Sequence, residues 1–136
     1  MSEAIDPEFL PIYVDECGEA FADITECLLE LESDPTNTDV LSRAFRAIHT
    51  FKGSSAMLGF SVVTALAHEV ESRFDQYRDG RDRLTPAAVS LTLRCVDYFT
   101  RFVDRLNETG RALWVVLTAA TEAEPTVSDF SSAALN

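Results

Sequence analysis

Four stretches of this sequence repeat apolar residues at intervals of three and four positions, the spacing that places side chains on one face of an α-helix. The first pattern runs through Leu10, Val14, Cys17, Phe21, Ile24, Leu28 and Leu31. The others cover residues 41–58, 63–77 and 89–106. Five Gly and five Pro in 136 residues are too few for a loop-rich β-sandwich. An all-α protein is therefore predicted, folded as an antiparallel up-down four-helix bundle.

Capping and helix-breaking residues divide these stretches into separate helices. The predicted starts, where a polar cap or a proline precedes the pattern, are Asp6-Pro7-Glu8, Asn37-Thr38-Asp39, Ser61 and Thr85-Pro86. The predicted ends are Ser33-Asp34-Pro35, Gly59, Asp79-Gly80 and residues 107–110. The second helix is expected over about residues 38–58. Residues 78–84 are expected to form a charged, exposed connection.

The last part of the chain has a weaker pattern. Residues 111–120 contain the apolar run Leu113-Trp114-Val115-Val116-Leu117, which is too short for periodicity to separate a helix from an extended segment. An additional C-terminal helix against the bundle is favoured, because nothing else in the chain resembles a strand that could pair with it. Residues 121–136 are expected to be a disordered tail or an interdomain linker. The predicted domain is therefore 1–120.

The charge distribution argues against several classes of partner. The net charge is −12, and residues 1–42 contain twelve Asp or Glu and no Lys or Arg. Such a surface repels nucleic acid and anionic membranes. No apolar run reaches the roughly 18–20 residues that span a bilayer, and no basic segment of a signal peptide precedes the first helix. A cytoplasmic location without membrane insertion is expected, with Cys17 and Cys27 as reduced packing residues.

The second helix combines a core face with a face that packing does not explain. Leu41, Ala44, Ile48, Phe51, Ser55 and Leu58 form the predicted core face. His49, Lys52, Gly53 and Ala56 share another face. Gly53 costs about 1 kcal/mol in a helix interior relative to alanine, so something should require it. Close approach of a partner to His49 and close packing between helices are both possible reasons.

The third helix carries groups that can act on His49. His68 and Glu71 are three positions apart and so share a face that an antiparallel second helix can meet. A carboxylate that accepts a hydrogen bond from Nδ1–H of His49 would leave the lone pair of Nε2 as a nucleophile. Lys52 could pair with phosphoryl oxygens. The sequence contains no Gly-rich phosphate loop and shows no Mg²⁺ or nucleotide site, so partners would have to supply both.

These residues resemble a known family. The run Ala47-x-His49-x-x-Lys52-Gly53, with Gly59 after it, matches the core motif of histidine-containing phosphotransfer (HPt) domains. The segments 45–53, 67–71, 78–80 and 84–85 resemble the N-terminal phosphotransfer domain of CheA-type chemotaxis histidine kinases. The likeness covers about residues 8–106. The chain departs from the family pattern at Thr50-Phe51 and at Ser54-Ser55-Ala56-Met57, and the second departure affects residues that could select a regulator.

The resemblance implies a function in a two-component phosphorelay. His49 would be phosphorylated at Nε2 by an ATP-binding histidine kinase catalytic domain, on the same or another polypeptide, and would pass the group to an Asp of a CheY-like response regulator receiver domain. By position, Lys52, His68 and Glu71 match the residues around the phosphoacceptor. ATP and Mg²⁺ would be bound by partner domains, so this domain needs no cofactor. It would be part of a histidine kinase without carrying the kinase active site.

The sequence also suggests a docking surface and leaves other functions open. The candidates for receiver docking are Phe45, Arg46, Gly53, Ala56 and Met57, although Phe45 could equally belong to the core. One alternative is a helical adaptor that binds signalling partners without being phosphorylated. Another is a metal enzyme that uses His49, His68 and Glu71, which the single His-x-x-Glu spacing disfavours because bundle di-metal sites need repeated Glu-x-x-His pairs.

Overall fold

A computed structural model of the chain describes residues 8–109 and Asp129. Within residues 8–109 it consists of four α-helices and contains no strand. The helices are α1 (Leu10–Ser33), α2 (Thr38–Met57), α3 (Ser61–Asp79) and α4 (Pro86–Thr109). No helix of this described part is long and apolar enough to cross a membrane. The predicted all-α fold with four helices is confirmed.

Contacts between helices show how the chain reverses direction. Near the end of α2, Ser55 Oγ lies 2.8 Å from the hydroxyl of Tyr13 near the start of α1. Near the start of α2, Arg43 reaches Glu26 and Glu30, in the second half of α1, at 3.2 and 3.6 Å. Helices α1 and α2 are therefore antiparallel. The short connections 34–37, 58–60 and 80–85 extend the same reversal to the next helices.

Aromatic side chains join three of the helices in one core. The rings of Phe21 and Phe51 have centroids 4.9 Å apart, and those of Phe51 and Phe99 are 4.6 Å apart. Each fully buried side chain of this size stabilises the fold by about 1.5–3 kcal/mol. On α2 the predicted core residues Leu41, Ala44, Ile48, Phe51 and Ser55 are buried, whereas Leu58 is half-buried. The predicted core face of α2 is confirmed up to Ser55.

Several helix ends follow local capping chemistry as predicted. Asn37 Oδ1 accepts a hydrogen bond from the N–H of Val40 at 3.2 Å, which caps α2. Thr85 Oγ1 accepts one from the N–H of Ala88 at 3.1 Å, which caps α4. Gly80 follows α3 with φ of 76°, a left-handed conformation that favours glycine.

Three local predictions were wrong. Helix α1 begins at Leu10 with Phe9 at the N-cap, rather than at Asp6-Pro7, whose residues lie outside the described range. Helix α3 has Phe60, not Ser61, at its N-cap, because the buried Phe60 ring packs against Phe102 with centroids 5.1 Å apart. The connection after α3 is not wholly exposed, since Leu84 is buried in the core. In the last two cases tertiary packing decides the outcome.

The cysteines belong to the core. Cys17, Cys27 and Cys95 are free and buried, as predicted for the first two. Burial raises the pKa of Cys17 and of Cys95 to about 12, so both remain thiols near neutral pH.

The C-terminal predictions lie outside the described residues. These are the additional helix at 111–120 and the tail or linker at 121–136, of which only Asp129 is described. The domain boundary after residue 120 stays a prediction.

Candidate functional site

His49 lies in the middle of α2 on the side that faces α3, and 62% of its side chain is exposed. Its Nδ1 forms a hydrogen bond with Glu71 Oε2. None of the described residues forms a hydrogen bond with the other ring nitrogen, Nε2. The contact between His49 Nδ1 and Glu71 that the sequence predicted is present.

Glu71 is the centre of the cluster. It is buried on α3, and its second oxygen, Oε1, accepts a hydrogen bond from Lys52 Nζ at 2.7 Å. Nδ1 of His68 lies 3.7 Å from the same oxygen, beyond hydrogen-bond distance. The structure thus brings together all four residues that the sequence assigned to the reaction, with direct bonds from His49 and Lys52 and a looser contact from His68.

The charge on Glu71 defines the tautomer of His49. Burial by itself would raise the pKa of Glu71, but the hydrogen bonds from Lys52 and His49 and the positive charge of Lys52 outweigh it and lower that pKa below its ordinary value. Glu71 is therefore a carboxylate near neutral pH and can only accept hydrogen bonds. His49 must donate from Nδ1, so the lone pair of the neutral ring is on Nε2.

The helix register explains why these side chains meet. His49 and Lys52 are three positions apart on α2, and His68 and Glu71 are three apart on α3, so each pair occupies one face of its helix. The antiparallel arrangement places the middles of the two helices side by side. Glu69 takes a different direction, because it pairs with Arg73 on its own helix at 2.7 Å.

Gly53 lies one position beyond Lys52 and is partly exposed. A Cβ atom added there would have no heavy atom within 4 Å apart from its own helix backbone and adjacent residues. Close packing against another described helix therefore does not require glycine at this position. Clearance for a molecule that approaches His49, the other reason considered, stays a prediction.

The predicted docking residues have different environments. Arg46, Ala56 and Met57 are exposed, with Met57 at 89%. Phe45 is half-buried at the edge of the core, where it also contacts His49 and Arg78. Phe45 can therefore pack against the core and still present part of its ring to a docking partner, the two roles predicted for it.

The sequence does not predict the position of two further groups of residues near the docking residues. Phe9 and Ile12 are more than half exposed, and they line a shallow cavity of about 400 Å³ between α1 and α2 with Met57. Their position off the apolar stripe of α1 was the available signal. Arg78 lies in the last turn of α3, and no sequence pattern links it to Phe45.

The described residues contain no group of three or more His, Cys, Asp or Glu arranged to hold a metal ion. Oε1 of Glu71, which would have to bind the metal, accepts a hydrogen bond from the ammonium group of Lys52 instead. The alternative of a metal enzyme built on His49, His68 and Glu71 therefore gains no support from this cluster.

Comparison with curated proteins gives consistent relatives. The chain is 32% identical to the chemotaxis protein CheA of Listeria monocytogenes over 90% of this chain and 19% of that protein. It is 32% identical to the sensor histidine kinase CheAY of Helicobacter pylori over 76% of this chain and 13% of that protein. The chain thus spans less than a fifth of the length of either relative.

Solved structures agree with this relationship. The CheA phosphotransferase domain from Thermotoga maritima has a TM-score of 0.71 and 35% identity, covering 74% of this chain and 95% of that one. The phosphorylated P1 domain of CheA3 in complex with CheY6 from R. sphaeroides has a TM-score of 0.77 and 25% identity, covering 92% and 94%. The family model described as the Hpt domain matches residues 8–111. With its four-helix fold and the cluster around His49, the chain belongs to the Hpt domain family.

Proposed function

We propose that His49 accepts a phosphoryl group on Nε2 from a histidine kinase catalytic domain and passes it to an Asp of a response regulator receiver domain. The observation that carries this proposal is the hydrogen bond from Nδ1 of His49 to the buried carboxylate of Glu71. That bond places the lone pair on Nε2 of a side chain that is largely exposed to an approaching partner.

Both steps of the proposed transfer are displacements at phosphorus. In the first, the Nε2 lone pair attacks the γ-phosphorus of ATP, the bond to the bridging oxygen breaks and ADP leaves with its electron pair. The imidazole becomes cationic while Nδ1 keeps its proton, and Glu71 stabilises that charge. In the second, a carboxylate oxygen of the receiver attacks phosphorus, the P–N bond breaks and its electron pair returns to Nε2.

Lys52 is proposed to stabilise the phosphoryl oxygens. Its ammonium group bonds to Glu71 one turn along α2 from His49, and 22% of its side chain is exposed. The lysine side chain is flexible and its ammonium group has three N–H donors. Those that do not bond to Glu71 can turn towards a phosphoryl group on Nε2 of His49. His68, whose Nδ1 lies 3.7 Å from Glu71, is proposed to add a polar imidazole at the same edge.

The comparisons support the choice of partners. One similar structure is a phosphorylated P1 domain in complex with CheY6, which makes a CheY-like receiver the proposed acceptor. The similar curated proteins are much longer than this chain and include a sensor histidine kinase, so the kinase catalytic domain is proposed to act in cis or in trans. ATP and Mg²⁺ would be bound by that domain. The cytoplasmic location stays a prediction.

A labelling experiment tests the proposal. The chain is incubated with radiolabelled ATP, Mg²⁺ and a CheA-type kinase core that lacks its own phosphotransfer domain. We expect acid-labile, alkali-stable label on this chain only when the core is present, and rapid loss of that label when a CheY-like receiver is added. An unlabelled chain that still binds the receiver would contradict the proposal and support the adaptor function instead.

Gly53→Ala is expected to separate stability from phosphotransfer. Alanine removes the helix penalty of glycine without a steric conflict, so the free energy of unfolding should rise by about 0.5–1 kcal/mol. The rate of phosphoryl transfer to the receiver should fall, because the added methyl group lies on the approach to His49. Urea unfolding and transfer rates measure the two effects.

The matched control for this substitution is Gly18→Ala on α1. Gly18 is also in a helix interior, and an added Cβ atom there also meets nothing within 4 Å. It should raise stability by a similar amount, about 0.5–1 kcal/mol, and leave transfer unchanged. Equal transfer rates for both variants would show that Gly53 gives no clearance to the partner.

A further inference from the structure

The phenyl ring of Phe45 lies beside the imidazole of His49. The two ring centroids are 6.2 Å apart, and the ring planes differ by 11°. The residues are one turn apart on α2, where side chains four positions apart are neighbours. This distance lies within the range of offset-stacked aromatic pairs. His49 therefore has two restraining contacts, Glu71 at Nδ1 and Phe45 along its ring.

Phe45 is itself held from α3. The guanidinium carbon of Arg78 is 4.2 Å from the centroid of the Phe45 ring, a cation–π contact. Arg78 also bonds to Asp75 one turn earlier on α3, and Asp75 accepts a second bond from Arg81 at 3.2 Å. Arg78 is thus held by an ion pair on its own helix as well as by the Phe45 ring. The Phe45 ring is restrained by this cation and by the edge of the core.

An exposed imidazole needs such a restraint if its orientation matters. The torsion angle about the Cβ–Cγ bond of histidine takes a broad range of values, because this bond joins an sp³ and an sp² carbon. The single bond to Glu71 fixes one ring nitrogen, whereas a parallel ring beside the imidazole also limits the tilt of its plane. A displacement of the reacting atom by about 1 Å can cost about 10²-fold in rate.

We propose that Phe45 is a positioning residue for His49, and that its ring, held by Arg78, keeps the imidazole in the orientation in which Nδ1 faces Glu71 and Nε2 faces the incoming phosphoryl group. This role rests on the proposed function, since only a reacting Nε2 needs to be aimed. It differs from the docking role predicted for Phe45, because a docking residue acts only when a partner is bound.

The test compares Phe45→Leu, which keeps apolar bulk but removes the ring, with Phe45→Tyr, which keeps the ring. The first measurement is nitrogen-15 NMR of the His49 ring in the isolated chain, without kinase or ATP. In Phe45→Leu the population of the minor tautomer should rise about two- to tenfold, the shift that corresponds to the strength of one aromatic pair. Phe45→Tyr should restore the wild-type populations.

The second measurement is phosphorylation by the kinase core. Phe45→Leu should lower kcat, with KM for the chain little changed, and Phe45→Tyr should recover kcat. Arg78→Gln should change the tautomers and kcat in the same direction, which provides a test even where Phe45→Leu unfolds the chain. Thermal unfolding of each variant shows whether that variant is folded.

Two results would overturn the proposal. One is a His49 ring spectrum in folded Phe45→Leu and Arg78→Gln that equals that of the wild type. The other is a loss of activity confined to KM, which would leave Phe45 as a docking contact. Failure of the proposed function is a separate outcome, because then the wild-type chain itself would carry no label, whatever the ring spectra show.

Discussion

Replacement of His49 by glutamine is expected to abolish phosphorylation of the chain while leaving its fold intact. The amide nitrogen of glutamine has no nucleophilic lone pair, so no P–N bond can form at this position. Its N–H can still donate a hydrogen bond to Glu71, which keeps that buried carboxylate paired. Because the His49 side chain is 62% exposed, the free energy of unfolding should change by less than about 1 kcal/mol. Labelling with a kinase core and urea unfolding measure the two expectations.

His68→Gln is the matched control for this loss. His68 is also a histidine at the edge of the α2–α3 pair, 65% exposed, with Nδ1 3.7 Å from Glu71. A contact of this kind contributes about 0–1 kcal/mol, so labelling should persist at a rate within about tenfold of the wild type. Label that persists in His49→Gln but disappears in His68→Gln would assign the phosphoacceptor to His68.

The sequence allowed much of the site to be predicted because its geometry follows from helix periodicity. His49 and Lys52 are three positions apart, so they had to share a face of α2. An antiparallel α3 packed beside that face had to present one face of its own to them. His68 and Glu71, three positions apart, had to share a face of α3 for the same reason. The structure shows Glu69 paired with Arg73 instead, and Glu71 buried between the two helices.

The remaining features depend on contacts that no local pattern encodes. Phe60 takes the N-cap of α3 because its ring packs against Phe102, although Ser61 has the better capping chemistry. The contact of Arg78 with Phe45 depends on how far α3 extends past the start of α2, which the spacing of apolar residues does not define. Local chemistry therefore predicted the caps and the faces, whereas side-chain packing between helices decided the exceptions.

Glu71→Gln is expected to lower the rate of phosphorylation by about 10- to 100-fold, by analogy with metal-ligating histidines, where loss of the carboxylate that orients the ring has an effect of this size. The introduced amide can donate to Nδ1 of His49, which would place the ring proton on Nε2 and remove the lone pair that attacks phosphorus. The substitution also removes the negative charge of Glu71, which is proposed to stabilise the cationic phosphoimidazole. The rate with a kinase core and the nitrogen-15 spectrum of the His49 ring should change together.

Glu69→Gln on the same helix is the control for loss of a carboxylate near the site. Glu69 is half-buried and bonds to Arg73, so its replacement should leave both the phosphorylation rate and the His49 tautomer unchanged. A rate that falls equally in both variants would point to a general effect of negative charge on the kinase encounter, rather than to a specific bond with His49.

The same Glu71→Gln variant also gives a stability prediction whose sign depends on the ionisation of Glu71. Although burial opposes it, the bonds and charges of Lys52 and His49 lower the pKa of Glu71 in the folded chain. Its stabilising contribution is therefore complete above the unfolded-state value of about 4.3. That contribution is lost as the pH falls from there through the lower folded-state pKa.

The free energy of unfolding of the wild type, minus that of Glu71→Gln, should therefore decrease as the pH falls below about 4.3. Urea unfolding of both chains between about pH 5 and about pH 3 measures this difference, and the other carboxylates cancel because both chains contain them. A difference that increased as the pH falls below about 4.3 would mean that Glu71 is stabilised as the protonated acid. A protonated Glu71 could donate to Nδ1 of His49, and the tautomer that makes Nε2 the phosphoacceptor would then lose its structural basis.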